Sequence, residues 1–193
     1  MTILFVCTGN TCRSPLALAA WRALQNRGEV PADWSAFAAG LAPDAGETAA
    51  GHAVEIAGGW GVDLSEHRAR AVDEGALRQV DVCVGLTASH ARSLSRMLRG
   101  ASGPMPRVLC LSDFLPRSSQ EESVARLLGV EGSLSSTEIE DPYGGSREAY
   151  EECGALIATA VARLARQLRE ESGGARTSSL PHAAPEGEAP ELL

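Results

Sequence analysis

The sequence lacks several features that would each have set its class. No apolar run approaches the length of a membrane-spanning helix. No C-x-x-C pair occurs, and the five cysteines are scattered and odd in number, which argues against a disulfide framework. No basic stretch followed by a cleavable apolar segment opens the chain, so no export signal is read. A reducing cytoplasm is the expected setting. Positive charge is also in deficit: 17 Lys and Arg stand against 25 Asp and Glu, a formal net charge of -8. A nucleic-acid or acidic-membrane binder needs a basic face, so neither partner is expected. His52 and His90 have no ligand spacing to each other or to any cysteine, and no metal site is read.

What is present suits one domain with room for a real core: 193 residues, 44% of them apolar. Residues 2–6 read as a short buried strand. Leu16, Ala19, Ala20, Ala23 and Leu24 then recur at helical spacing, with Ser14 as expected N-cap, Pro15 at the first helical position and Gly28 at the C-terminus. Further strands are expected at 34–38, 80–84 and 108–111, and helices at 47–57 and from about 88 to 98. Strands alternating with helices imply a parallel sheet covered on both faces. A last helix is expected from 147 to 170, with Tyr150, Cys153, Ile157, Val161, Leu164 and Leu168 on one stripe and Ser146 as its cap. Residues 113–140 read as a long polar segment holding a short helix at 121–128. Residues 172–193, rich in Gly, Ser, Pro, Ala and Glu, read as a disordered tail after a domain spanning 1–171.

The chemistry concentrates in Cys7-Thr8-Gly9-Asn10-Thr11-Cys12-Arg13-Ser14-Pro15. A strand that ends, a tight loop and a helix that begins form an anion site in α/β folds, because backbone N–H groups and the positive helix end converge there. Gly9 allows close backbone approach, and Asn10 tolerates a left-handed conformation. No lysine stands in the loop, so a nucleotide-type phosphate loop is not read. Arg13 can instead grip two phosphate oxygens as a fork. The same N–H groups and Arg13 favour the thiolate form of Cys7, a nucleophile beneath a cradled phosphoryl group. Cys-x5-Arg alone is a weak pattern. The apolar strand before it and the Ser-Pro helix start after it give it weight. Such chemistry also needs an acid for the leaving group, and the candidate is Asp141 in Asp141-Pro142-Tyr143-Gly144-Gly145, with Tyr143 able to wall a pocket.

With CTGNTCRSP near the N-terminus and DPYGG before the last helix, the chain resembles the low-molecular-weight protein tyrosine phosphatase family over residues 1–170. That resemblance implies a flavodoxin-like fold: a four-stranded parallel sheet of order 2-1-3-4 with helices on both faces and the ligand site at the end of strand 1. Thr11 is similar to the bacterial protein-arginine phosphatases within the family, where tyrosine-specific members carry a larger aliphatic residue. Gly144 and Gly145 stand where those members often have a second aromatic. The resemblance implies a phosphatase that hydrolyses phosphoarginine on proteins. Cys7 is its nucleophile, Asp141 its general acid and then base, and Arg13 its phosphate clamp. Thr8, Gly9, Asn10, Thr11, Cys12, Ser14 and Tyr143 complete the phosphate and substrate site, with Ser14 also able to donate to the sulfur. No cofactor is implied. The partners implied are phosphorylated proteins, met by a monomer.

A tyrosine phosphatase with the same two steps is the alternative. Arsenate reduction is disfavoured because residues 113–140 contain no cysteine for a resolving pair. A non-catalytic binder is disfavoured because both Cys7 and Asp141 are kept. By the same resemblance Cys12 can form a reversible disulfide with Cys7, and His67 braces Asn10. The family often shows Ser-Ala-Gly after strand 2, with that serine bracing the same asparagine; the matching stretch here is Ala38-Ala39-Gly40, so that brace is expected to be missing. Cys83, Cys110 and Cys153 are read as core.

Overall fold

The computed structural model describes residues 1–99, 105–116 and 138–177, with side chains to 173. Four parallel strands form one sheet: β1 (Thr2–Cys7), β2 (Ser35–Gly40), β3 (Val82–Gly85) and β4 (Arg107–Cys110). Their order is β2-β1-β3-β4, as the resemblance implied. The central strand β1 pairs Cys7 with Gly40 on one side and Val6 with Gly85 on the other.

Because side chains alternate along a strand, β1 is apolar on both faces. Ile3, Phe5 and Cys7 join the larger core cluster, while Leu4 and Val6 join a second cluster on the opposite face. The larger cluster is closed by α1 (Arg13–Asn26) and by the final helix (Arg147–Thr177), with α2 (Gly51–Gly59) packed beside both. The opposite face is covered by α3 (Glu74–Arg78) and α4 (Ala88–Met97). The final helix is α5. Its expected stripe is buried throughout, from Tyr150 to Leu168. Each fully buried Ile, Val or Leu on it contributes roughly 1.5–3 kcal/mol of transfer free energy. Trp21 stacks on Trp34 at 6.2 Å between ring centres and tilts against Phe5 at 6.0 Å, which ties α1 to the start of β2 and to the sheet.

Several expected boundaries shift. Helix α1 begins at Arg13 after Cys12, so Ser14 lies inside the first turn and is not the cap; its hydroxyl is used by the Cys7 loop. Helix α2 begins at Gly51, not at residue 47. Residues 44–47 form a turn closed by Glu47 N–H to Asp44 C=O (3.1 Å), and residues 47–50 are held out of the helix by backbone bonds, Ala69 N–H to Glu47 C=O (2.7 Å) and Ala50 N–H to Thr11 C=O (2.9 Å). Strand β2 runs to Gly40, β3 starts at Val82, and Leu111 leaves β4 for a short 3-10 turn, Leu111–Phe114. Ser146 does cap α5, accepting from Ala149 N–H at 3.4 Å. That helix continues to Thr177, so residues 172–177 belong to it and not to a tail. The helix expected at 121–128 and residues 178–193 lie outside the described residues.

Candidate active site

The site is built where β1 gives way to α1. Cys7 ends the strand and is buried, and Asn10 is the one described residue other than glycine with positive φ, at 58°. This left-handed step curls the loop back so that Asn10 N–H donates to Cys7 Sγ at 3.3 Å. The Asn10 side chain is fully buried. Its Nδ2 donates to Ser14 Oγ at 3.0 Å, and its Oδ1 accepts from Arg70 N–H at 3.1 Å. His67 Nε2 reaches the Asn10 carbonyl at 2.7 Å. His67 therefore braces Asn10 as the resemblance implied, but through the backbone. Burial holds His67 below its ordinary pKa, and the bond to Asn10 only partly opposes this. With alanine at position 38 in place of the family's serine, the Asn10 side chain is held instead by the Arg70 backbone N–H and by Ser14 Oγ, which itself donates to Ala39 C=O at 3.3 Å.

Ser14 has one proton and two acceptors. Its Oγ lies 3.1 Å from Cys7 Sγ and 3.3 Å from the Ala39 carbonyl. A Cys7 thiol donates to Ser14 while the hydroxyl stays on Ala39. A thiolate takes the hydroxyl instead, so the sulfur anion gains a donor without any movement of the backbone.

Arg13 is almost wholly buried at the start of α1 and forms an ion pair with Asp141. The Arg13 Nε is buried with no acceptor among the described residues, which suits a guanidinium that receives an oxyanion. The Asp141 carboxylate is half exposed and also accepts from Tyr143 N–H at 3.3 Å. The loop that carries it is a tight turn: Gly145 N–H donates to Pro142 C=O at 2.8 Å, with Gly144 at φ 72°. That geometry needs glycine at 144. A Cβ on Gly145 would sit 2.9 Å from the Pro142 carbonyl oxygen. Tyr143 projects from this turn and is 72% exposed. The expected residues from Cys7 through Ser14 thus share one loop, to which Asp141 is joined through Arg13, while Tyr143 stands exposed on the Asp141 turn.

Thr11 is buried, with its hydroxyl 3.5 Å from Cys12 Sγ. Cys12 Sγ is 3.1 Å from Tyr150 Oη on α5. Burial raises the Cys12 thiol despite its bonds to Thr11 and Tyr150, and burial also raises the Tyr150 hydroxyl. All five cysteines are free thiols. Cys83 and Cys153 are core, as expected, and desolvation pushes each up to about 12; Cys110 is buried at the end of β4.

Three contributors escaped the sequence reading: Arg70, Tyr150 and His90. His90 Nε2 lies 3.1 Å from Thr8 Oγ1. The available signal was topological. Strands β1 and β3 are neighbours, so the segments that follow them meet.

Residues 2–173 match the family described as low molecular weight phosphotyrosine protein phosphatase. The chain belongs to that family. It is therefore an enzyme of a hydrolase class that acts on phosphorylated proteins. The low molecular weight protein-tyrosine-phosphatase of Streptomyces coelicolor is 34% identical over 176 residues, 89% of this chain and 96% of the relative. The crystal structure of the low molecular weight protein tyrosine phosphatase from T. tengcongensis aligns with a TM-score of 0.65 at 32% identity, over 86% of this chain and 99% of that one. The YwlE arginine phosphatase from Geobacillus stearothermophilus aligns with a TM-score of 0.67 at 25% identity, over 94% and 99%. These relatives share the flavodoxin-like arrangement described above. Among the described residues, no helix is long and apolar enough to cross a membrane.

Proposed function

We propose that this phosphatase hydrolyses phosphoarginine on proteins through a phosphocysteine formed at Cys7. The observation that carries the covalent part is the Cys7 sulfur seated under Asn10 N–H and Ser14 Oγ, with the Arg13–Asp141 pair at the same loop. The phosphoryl group takes the Arg13 fork, and the Arg13–Asp141 pair opens. Cys7 attacks phosphorus in line. The S–P bond forms as the P–N bond breaks, and Asp141 gives a proton to the departing guanidine nitrogen. Asp141 then takes a proton from water as its oxygen attacks phosphorus. The S–P bond breaks, and the thiolate returns to its two donors as phosphate leaves. Arg13 and the N–H groups of residues 8–13 hold the equatorial oxygens in both steps. The enzyme acts as a cytoplasmic monomer.

The arginine reading draws support from Thr11, from the glycine turn after Tyr143 and from the likeness to the YwlE arginine phosphatase. A second aromatic wall at 144 or 145 is disfavoured by the positive φ of Gly144 and the close Pro142 carbonyl at Gly145. The mouth is thereby left with one aromatic, suited to a slim guanidinium more than to a broad ring. The second reading, a tyrosine phosphatase, is favoured by the higher identity to tyrosine-named relatives. Matched phosphoarginine and phosphotyrosine peptides, assayed side by side, separate the two. Faster turnover of phosphoarginine is expected, with a shift toward phosphotyrosine in Thr11→Ile. One side chain can move selectivity by about 1–3 kcal/mol, or 10–200-fold. Faster turnover of phosphotyrosine by the native chain would assign it to the second reading.

A further inference from the structure

We propose that His90 is a positioning residue that holds the Thr8 hydroxyl, next in sequence to the nucleophile, with its proton turned toward the phosphoryl group. This rests on the phosphatase reading of Cys7 and not on which side chain carries the phosphate.

The contact is built by the fold. Helix α4 approaches the end of β3 so closely that a Cβ on Gly85 would lie 2.4 Å from Ala91 N. This sinks His90, the third residue of α4, to 4% exposure beside the Cys7 loop. Both ring nitrogens are engaged. Thr87 Oγ1 is 2.8 Å from Nδ1, and Thr8 Oγ1 is 3.1 Å from Nε2. Ser89 Oγ in turn lies 2.8 Å from Thr87 Oγ1. Thr8 is fixed from its other side as well, since its carbonyl accepts from Ala42 N–H at 3.0 Å.

Burial, followed by the nearby Arg13 charge, lowers His90 to about 4. The ring is therefore neutral near pH 7 and has one N–H to give. A phosphoryl anion at Cys7 selects one of the two arrangements open to the chain. Ser89 donates to Thr87, Thr87 donates to Nδ1, and Nε2–H donates to Thr8 Oγ1. The Thr8 proton is then left for the anion. The reverse arrangement would direct that proton into the ring and present a lone pair to the negative charge, which is repulsive.

The test uses the full chain with para-nitrophenyl phosphate as substrate and vanadate as inhibitor. Variants are His90→Ala, His90→Gln, Thr8→Val and the Thr8→Val/His90→Ala double variant. His90→Ala is expected to lower kcat/KM about tenfold and to raise the vanadate inhibition constant to match, the scale of one hydrogen bond to a charged group. His90→Gln, whose amide can still donate to Thr8, recovers most of the loss. In the Thr8→Val background His90→Ala adds less than about twofold. Nitrogen NMR of the vanadate complex shows His90 protonated at Nε2. Losses that multiply in the double variant, a Gln variant as poor as the Ala variant, or protonation at Nδ1 would each overturn the proposal. Should His90→Ala fail to fold, Thr8→Val and His90→Gln with the NMR signature still decide it. Cys7→Ala separates the two claims. If it retains turnover, the phosphatase reading fails; if it is inactive while the His90 and Thr8 losses multiply, only the His90 proposal falls.

Discussion

Replacing Asn10 with alanine strips the Cys7 loop of the contacts that keep it curled. Two side-chain bonds disappear, to Ser14 Oγ at 3.0 Å and from Arg70 N–H at 3.1 Å. The Arg70 N–H is partly buried and has lost its acceptor, at about 1–2 kcal/mol. Alanine must also hold φ near 58°, which adds about 1–2 kcal/mol. The expected loss is about 3 kcal/mol, a large fraction of the 5–15 kcal/mol typical of a domain. Asn10→Gly keeps the first term and relieves the second, so it should be about 1–2 kcal/mol more stable than Asn10→Ala. Urea unfolding of the three proteins gives the values, provided the slope with denaturant is unchanged. Activity adds a second reading. The Asn10 amide holds Ser14 Oγ, which lies 3.1 Å from Cys7 Sγ, so both variants should lose kcat/KM even where they are folded. Alanine and glycine variants within about 0.5 kcal/mol of the wild type and of each other would refute the reasoning.

Gly145→Ala places a Cβ at 2.9 Å from the Pro142 carbonyl oxygen, so the acid turn must shift; a stability loss of about 1–3 kcal/mol with a fall in kcat is expected, read by thermal unfolding and steady-state assay. Acidification tests the buried state of His90. Its folded pKa of about 4 lies below the unfolded value of 6.5, so between these pH values the unfolded chain binds the extra proton. Stability contributed by neutral His90 is full above pH 6.5 and falls by about 3 kcal/mol as pH drops to 4. His90→Gln should flatten that part of the curve, and an unchanged slope would show that His90 does not set it.

The Cys7 loop and the Asp141 turn were legible because each is a local pattern, whereas the sheet order was reached only through the family resemblance that those two patterns carry. A run ending in Cys7, a left-handed-tolerant Asn10 and a Gly144-Gly145 pair announce themselves within a few residues. The start of α2 was not legible. Its helical-looking residues 47–50 are held out of the helix by bonds to Thr11 and Ala69, and tertiary contacts override propensity there. Ser14 looked like a cap because capping is the commonest use of serine before proline. Its actual partners, Cys7, Asn10 and Ala39, converge only after the loop folds over β2. His90 and Arg70 reach the loop from 82 and 60 residues away, a separation that no spacing rule spans.

The central claim is that the Cys7 sulfur receives the phosphoryl group. Rapid acid quench during turnover of a phosphoarginine peptide, followed by mass spectrometry of the fragment bearing Cys7, tests it directly. The account predicts one phosphoryl group on Cys7 Sγ that appears within the first turnover and decays as substrate is consumed. Sustained turnover with Cys7 unmodified at every quench time, or with the phosphoryl group on another residue, would contradict it.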